Sequence, residues 1–169
     1  FACVSSQAWL SAQTIPKEEL TFLTSEWKGE RFPDGRPKIS DDLLERAKKI
    51  GPDDAWQVLK VSGYLNQFEH GWKTLNGETM TGRAVTAMYM PNRPDLEKNI
   101  KARGAQQGRV GNTNTWAIAV LKKGDIYVAD AFGKINGGTL IGSTLGNSIF
   151  ANSGNGVILN GAARDIQGL

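Results

Sequence analysis

The sequence predicts a single globular domain of the α/β class. Over its second half, β-prone segments alternate with segments of helical spacing, which is the arrangement of α/β proteins. A length of 169 residues suffices for one well-buried core, so one domain is expected. Hydrophobic residues make up 40% of the chain and charged residues 22%, which excludes the disordered and fibrous classes.

The first third of the chain predicts an irregular segment followed by two short helices. Residues 14–38 are polar and interrupted by glycine and proline, so an irregular N-terminal extension is expected there. Ser40 is a typical helix N-cap, and the helix that it opens would stop at Gly51-Pro52. Asp53-Asp54 open a second helix, which Gly63 is expected to end.

The middle of the chain predicts a strand, a loop and a helix. Residues 79–90 are β-prone and stop at a proline, which favours a strand. Residues 92–111 are polar, carry one internal proline and three glycines, and predict a loop with no more than one helical turn. Residues 113–121 fit a helix or a strand. A helix is favoured, because the apolar residues would share one face and Gly124 suits its C-terminal cap.

The last third predicts the elements that carry the candidate chemistry. Residues 125–130 form a predicted strand, which enters a glycine-rich loop at 137–142. A helix over 143–152 and a strand over 156–159 follow, and a turn then presents Arg164-Asp165.

The start of the 143–152 helix is a candidate anion site. The first backbone N–H groups of a helix lack partners within it, and the positive end of the helix dipole lies behind them. Gly137, Gly138 and Gly142 would let the backbone approach a ligand closely. A glycine loop before a helix is more often a plain structural turn, and that alternative stays open.

The Arg164-Asp165 pair is the second candidate. An adjacent arginine and aspartate form a plain surface ion pair in most proteins. At the end of a core strand and beside a helix start, Arg164 could instead bind a carboxylate in bidentate fashion. Asp165 could hold Mg²⁺, with water completing the octahedron.

Five motifs in order resemble one known family. They are Gly82-Arg83-Ala84-Val85-Thr86, Gly124-Asp125-Ile126, Gly142-x-x-Leu145, Gly154-x-Gly156-Val157 and Gly161-x-x-Arg164-Asp165. From about Ser40 to Leu169 the chain resembles the class II pyruvate aldolases that cleave 4-hydroxy-4-methyl-2-oxoglutarate. That RraA-like family also contains the regulator of ribonuclease E activity. The resemblance implies a layered α/β/β/α sandwich related to swivelling domains. It also implies a homotrimer or hexamer with active sites at subunit interfaces.

The resemblance also implies roles for single residues. Arg164 and the helix-start amides of Gly142, Ser143, Thr144 and Leu145 would bind the pyruvyl group of a small 2-oxo acid. Asp165 would ligate Mg²⁺ or Mn²⁺. An acidic residue that positions metal-bound water in the family's aldolases corresponds here to Ser143, which can form a hydrogen bond but carries no charge.

This departure leaves the function open between two classes. A Mg²⁺-dependent lyase would cleave 4-hydroxy-4-methyl-2-oxoglutarate or decarboxylate oxaloacetate, releasing pyruvate. Decarboxylation needs no base on a substrate hydroxyl, so it would tolerate Ser143 better than aldol cleavage does. The alternative is a non-catalytic RraA-like regulator, or a module that binds small anions or proteins.

Other residues are assigned plainer roles. Arg83 is expected to be a structural salt-bridge partner, and His70 a surface or packed histidine. Trp56, Trp72 and Trp116 are expected to anchor a core or an interface. Asp130 and Lys134 flank the glycine loop and are second-rank site candidates.

Composition limits partners and location. The net charge of +3 is spread along the chain, so no nucleic-acid partner is expected. With Cys3 as the single cysteine and His70 as the single histidine, Cys-rich and multi-histidine metal centres are excluded.

The chain ends carry two further expectations. Residues 1–13 look like the remnant of a signal peptide, which predicts a periplasmic or secreted protein; Cys3 as a lipoprotein cysteine and a cytoplasmic location are the alternatives. No stretch reaches the about 20 apolar residues of a membrane span. The resembling fold continues past its Arg-Asp turn, so a domain over 39–169 is expected to be truncated at its C-terminus.

Overall fold

A computed structural model describes residues 15–75, 79–137 and 139–168. The predicted signal-peptide remnant at 1–13 lies outside the described residues, as do Gly138 of the glycine loop and Leu169.

Parallel strands form the framework, and they confirm the α/β class. The strands are β1 (Arg83–Met88), β2 (Asp125–Asp130), β3 (Thr139–Ile141), β4 (Val157–Asn160) and β5 (Ala162–Ala163). A three-stranded sheet has the order β1-β2-β4, and a two-stranded sheet pairs β3 with β5. Every pair is parallel, and the register sets Arg83 beside Asp125 and Met88 beside Asp130.

Helices connect and cover these strands. They are α1 (Lys17–Leu23), α2 (Asp41–Ala47), α3 (Pro52–Val61), α4 (Pro94–Gln106), α5 (Thr113–Ala119), α6 (Ser143–Ser153) and a closing 3₁₀ turn (Ile166–Gly168). The Ser40 side chain caps α2 by accepting a hydrogen bond from the Leu43 amide, as predicted. Among the described residues, no helix combines the length and apolar character needed to cross a membrane.

The core lies where α5 and α6 pack on the inner face of the three-stranded sheet. Its buried residues are Val85, Ile118, Leu121, Tyr127, Ala129, Ile141 and Ile149. The Tyr127 hydroxyl lies 2.6 Å from that of Tyr89. Burial raises the pKa of both phenols, so this hydrogen-bonded pair is uncharged.

Two segments expected to be irregular are partly helical. The 14–38 extension contains α1, which begins after Pro16 and ends before the glycines and the remaining prolines of the segment. The 92–111 segment contains the 13-residue helix α4 rather than a loop. Pro94 begins that helix, where its fixed φ is favourable. Gly104 lies against the Trp116 ring, at a distance that leaves no room for a Cβ atom.

The prediction that Gly124 caps the C-terminus of the 113–121 helix was also wrong. Helix α5 ends at Ala119 with Val120 as its C-cap. Gly124 instead has a φ of +83° in the turn before β2, and its amide donates to the Ser153 carbonyl at 2.8 Å. The predicted helix for 113–121 itself is confirmed.

A buried carboxylate joins the amino ends of β1 and β2. Asp125 is fully buried and accepts hydrogen bonds from Arg83 Nε at 3.2 Å and from the Lys122 amide at 2.8 Å. Arg36 Nη1 approaches its second oxygen at 3.5 Å. Arg83 also contacts Asp41 and donates to the Ile39 carbonyl, so its predicted structural role is confirmed.

Replacing Asp125 by Ala should cost about 3–5 kcal/mol of unfolding free energy, because it leaves two arginines facing a buried gap. Urea unfolding followed by tryptophan fluorescence measures the loss. Asp95→Ala is the matched control, since Asp95 pairs with Arg93 at an exposed site, where such pairs contribute about 1 kcal/mol or less. Equal losses in the two variants would contradict the structural importance of Asp125.

Candidate active site

The candidate site lies at the carboxyl ends of β3 and β5. Gly142 and α6 follow β3 directly, and Arg164 and Asp165 follow β5. The Arg164 amide donates to the Ile141 carbonyl at 2.9 Å and so extends the pairing of the two strands. Because parallel strands end at the same edge of a sheet, the helix start and the Arg-Asp pair meet there.

Gly142 leaves the space that this meeting needs. A Cβ atom on Gly142 would lie 2.8 Å from Asp165 Oδ2 and 3.0 Å from Arg164 Nε. The φ of Gly142, −131°, is open to any residue, so the requirement is for room and not for backbone conformation. The two charged side chains therefore lie directly against the backbone that opens α6.

The first amides of α6 are free to face a ligand. Gly142 is the N-cap and has no side chain to cap the helix, and its carbonyl accepts the first intrahelical hydrogen bond from Gly146 at 2.9 Å. The amides of residues 143–145 precede that bond and find no acceptor within the helix. Ser143 and Thr144 are at least partly accessible, whereas the Leu145 side chain packs on the core.

Asp165 turns the chain back over the helix start. Its φ of 55° is left-handed, a conformation that aspartate tolerates better than most residues. The Asp165 carbonyl then accepts a hydrogen bond from the Gly168 amide at 2.8 Å, which closes the 3₁₀ turn. A Cβ atom on Gly168 would lie 3.0 Å from Ser143 Cβ, so this turn packs against the first residue of α6.

These groups surround an open cavity of about 530 Å³. Its lining residues are Ser143, Ala163, Arg164, Asp165, Ile166, Gln167 and Gly168. Arg164 Nε and Asp165 Oδ2 are 3.6 Å apart, and the two side chains are 73% and 57% exposed. An ion pair this loose and exposed contributes little to stability, so a ligand can compete for either group.

The donor set fits a hydrated magnesium ion. No cluster of three or more His, Cys, Asp and Glu side chains that could enclose a metal occurs in the described part of the chain. Mg²⁺ does not require one, because it keeps several waters and takes one or two carboxylates plus oxygen atoms of the substrate. The exposed Asp165 carboxylate beside the cavity suits that mode, and Ser143 could hydrogen-bond only to a metal-bound water.

The second-rank candidates lie elsewhere. Asp130 Oδ1 accepts hydrogen bonds from the Phe132 amide at 2.9 Å and from Asn160 Nδ2 at 3.0 Å, which is a turn-stabilising role. Lys134 and His70 are exposed and do not line the cavity. Trp116 is buried, as expected of a core anchor, whereas Trp72 is 53% exposed.

The side of the cavity formed by the closing 3₁₀ turn was not predicted from the sequence. Ile166, Gln167 and Gly168 were not singled out, although they follow the Arg-Asp pair directly. The left-handed Asp165 brings them into the site, and aspartate gives only a weak sequence signal for that conformation.

Gly142→Ala should displace Arg164 and Asp165, because the new Cβ atom would collide with both side chains. The affinity for oxalate, a two-carbon dicarboxylate probe, should fall about tenfold or more. Isothermal titration calorimetry in the presence of Mg²⁺ measures this affinity. Unfolding free energy should change little, because the displaced groups are exposed and flexible. Gly51→Ala is the matched control, since a Cβ there makes only an ordinary contact of 3.4 Å with Asp54. Unchanged oxalate affinity in Gly142→Ala would rule out the packing described above as a binding feature.

Comparison with known proteins identifies the family of this site. The family model described as RraA-like, Aldolase/RraA, matches residues 37–169. Neither the curated proteins nor the solved structures that were searched gave a match. The matched region contains all five strands, α6 and the whole candidate site. Since the match extends over well more than half of the sequence, the chain belongs to the RraA-like (Aldolase/RraA) family.

Proposed function

We propose that this protein is a Mg²⁺-dependent lyase that acts on small 2-oxo acids and releases pyruvate. The observation that carries the proposal is the packing of Arg164 and Asp165 against Gly142 at the start of α6. In a chain of the Aldolase/RraA family, this arrangement sets a cation, a carboxylate and Ser143, the first residue of α6, around one cavity.

Arg164 and the helix start would bind the substrate carboxylate. A guanidinium offers two parallel N–H donors to a carboxylate, and the amides of residues 143–145 add donors at the positive end of α6. Both are anchored by backbone: the Arg164 amide is bonded to Ile141, and α6 is bonded from Gly142 onward. The 2-oxo group next to that carboxylate would then lie near Asp165.

Asp165 would hold Mg²⁺ or Mn²⁺ beside the cavity. Bound there, the ion supplies a Lewis acid for the charge that develops on the substrate carbonyl oxygen. In oxaloacetate decarboxylation the C3–C4 bond breaks and carbon dioxide leaves. The electron pair of the broken bond forms the enolate of pyruvate, which then takes up a proton from solvent at C3. Arg164 would stabilise that enolate through its carboxylate.

Ser143 favours decarboxylation over aldol cleavage. Cleaving 4-hydroxy-4-methyl-2-oxoglutarate requires a base to remove the hydroxyl proton, and a serine hydroxyl is a poor base near neutral pH. Ser143 lines the cavity at the helix start, where it can orient water or substrate by hydrogen bonding. Oxaloacetate is therefore the preferred substrate in this proposal.

One observation favours a second candidate function, a non-catalytic regulator or small-anion binding module. The cavity has a single carboxylate, Asp165, and a neutral residue at the position of the family's acid. Arg164 and the α6 amides bind an anion without any metal. The homotrimer or hexamer that the resemblance implies and the export that residues 1–13 suggest also belong to the proposal. Export would exclude a regulator of ribonuclease E, which would have to be cytoplasmic.

A coupled pyruvate assay separates the two functions. Oxaloacetate and 4-hydroxy-4-methyl-2-oxoglutarate are supplied with Mg²⁺, with Mn²⁺ and with a chelator, and the non-enzymatic rate is subtracted. Metal-dependent release of pyruvate supports the lyase. Binding of oxalate without turnover of either substrate would leave the anion-binding function and eliminate the lyase.

Asp165→Asn should lower metal-dependent turnover by about a hundredfold to a thousandfold, because the amide is a weak ligand for a hard cation. Asparagine also tolerates the left-handed φ of 55°, so the turn should be retained. Turnover at several Mg²⁺ concentrations measures the effect. Asp95→Asn, which changes charge at an exposed remote site, is the control. Wild-type turnover in Asp165→Asn would remove this residue from the metal site.

Ser143→Asp should raise aldol cleavage by about tenfold or more, because it restores a carboxylate at the start of α6. Ser143→Asn, which has the same shape without the charge, should leave cleavage at the wild-type level. Initial rates of pyruvate release from 4-hydroxy-4-methyl-2-oxoglutarate measure both variants. A cleavage rate in Ser143→Asp equal to that of the wild type would mean that another group provides the base.

A further inference from the structure

We propose that the 3₁₀ turn Ile166–Gly168 selects the substrate, with Gln167 contacting the second carboxylate of a dicarboxylic 2-oxo acid. This inference rests on the proposed function, because Gln167 would contact the substrate carboxylate that leaves as carbon dioxide when oxaloacetate is decarboxylated. It assigns a role to residues that follow the Arg-Asp pair and that also line the cavity.

The turn and the helix start are two walls of one cavity. The turn is closed by the hydrogen bond from the Gly168 amide to the Asp165 carbonyl, at 2.8 Å. Gly168 also packs on Ser143, where a Cβ atom on Gly168 would lie 3.0 Å from Ser143 Cβ. Gln167 lies within this turn, and it lines the cavity together with Arg164 and Asp165.

The charges of the cavity divide its lining into two parts. Arg164 and Asp165 are the charged lining residues, and the proposed reaction uses both at the pyruvyl end of the substrate. Ser143, Ala163, Ile166, Gln167 and Gly168 carry no charge. The part of a substrate beyond its 2-oxo group therefore meets neutral surface.

Gln167 has the longest polar side chain on that neutral surface. Its amide offers two N–H donors and one carbonyl acceptor, so it can donate to a carboxylate or pair with a hydroxyl. The residue is exposed and no ion pair holds it, so it can adapt to a ligand at little cost in stability. A carboxylate at position 167 would repel a second substrate carboxylate, whereas an ammonium group would attract it.

The experiment compares ligands with one and with two carboxylates. Gln167→Glu and Gln167→Lys are assayed with oxaloacetate by the release of carbon dioxide, and pyruvate itself is added as a product inhibitor. We expect the KM for oxaloacetate to rise about fivefold to tenfold in Gln167→Glu and to fall severalfold in Gln167→Lys. In Gln167→Lys kcat should also fall, because an ammonium group stabilises the carboxylate more than the neutral carbon dioxide that it becomes. The inhibition constant of pyruvate, which lacks the second carboxylate, should change less than twofold in both variants.

Gln57→Glu and Gln57→Lys are the matched controls. Gln57 is exposed on α3 and does not line the cavity, so these variants reproduce the change in net charge alone. They should leave both constants at their wild-type values. Equal shifts for oxaloacetate and pyruvate in the Gln167 variants, or no shift for either, would overturn the role of Gln167.

The outcome also separates this inference from the proposed function. Wild-type protein that turns over neither oxaloacetate nor 4-hydroxy-4-methyl-2-oxoglutarate would defeat the proposed function itself. Wild-type turnover with Gln167 variants that do not discriminate between the two ligands would defeat only the selection by the turn. Gly168→Ala gives an independent check. Its Cβ atom would push on Ser143 and narrow the cavity, so the KM for oxaloacetate should rise while Arg164 and Asp165 stay in place.

Discussion

The buried carboxylate of Asp125 organises the end of the molecule opposite the candidate site. It pairs with Arg83 of β1 and Arg36 of the N-terminal extension, and it accepts a hydrogen bond from the Lys122 amide. Asn155 Nδ2 donates to the Asp125 carbonyl at 3.1 Å, which ties the end of α6 to the same point. A buried charge is costly when any partner is lost, so these segments are held together as a unit.

This anchor also holds the C-terminal end of α6, the helix that begins at the candidate site. The amide of Gly124, next to Asp125, bonds to the carbonyl of Ser153, the last residue of α6. With its C-terminal end fixed there, the 11-residue helix extends about 16 Å and presents its first residues at the opposite edge of the fold. The β3–β5 pair delivers Arg164 and Asp165 to that edge. The buried Asp125 anchor and the candidate site thus lie at opposite ends of α6.

Local signals predicted well wherever a single element decided the outcome. The strand at 125–130 is buried over most of its length, and the helix at 143 begins after a glycine; both have the predicted bounds to within one residue. The other elements depend on packing between segments that are distant in the sequence, and local signals did not predict them. Gly104 is typical of a helix break, but here it lies within α4, where the absence of a Cβ atom leaves room for the Trp116 ring. β3 and β5 are three and two residues long, so only their pairing with each other defines them.

The site was predictable in part for the same reason. Gly142, Arg164 and Asp165 could be named from the resemblance to a family, and the structure brings them within contact of one another. Gln167 could not be named, because its place in the cavity follows from the left-handed turn at Asp165. A backbone angle at one residue therefore decides which side chain forms the second wall.

Serine at position 143 changes the electrostatics of this cavity as well as its acid–base chemistry. A second carboxylate there would offset the positive end of α6 and repel a doubly charged substrate. With Ser143, the cavity lining holds Arg164 against a single carboxylate, Asp165. Under the proposed function, the serine that removes a base for aldol cleavage would also strengthen the binding of oxaloacetate, a dianion. A decarboxylase and an anion-binding module would share this binding step, and they differ in whether the C3–C4 bond of the bound substrate breaks.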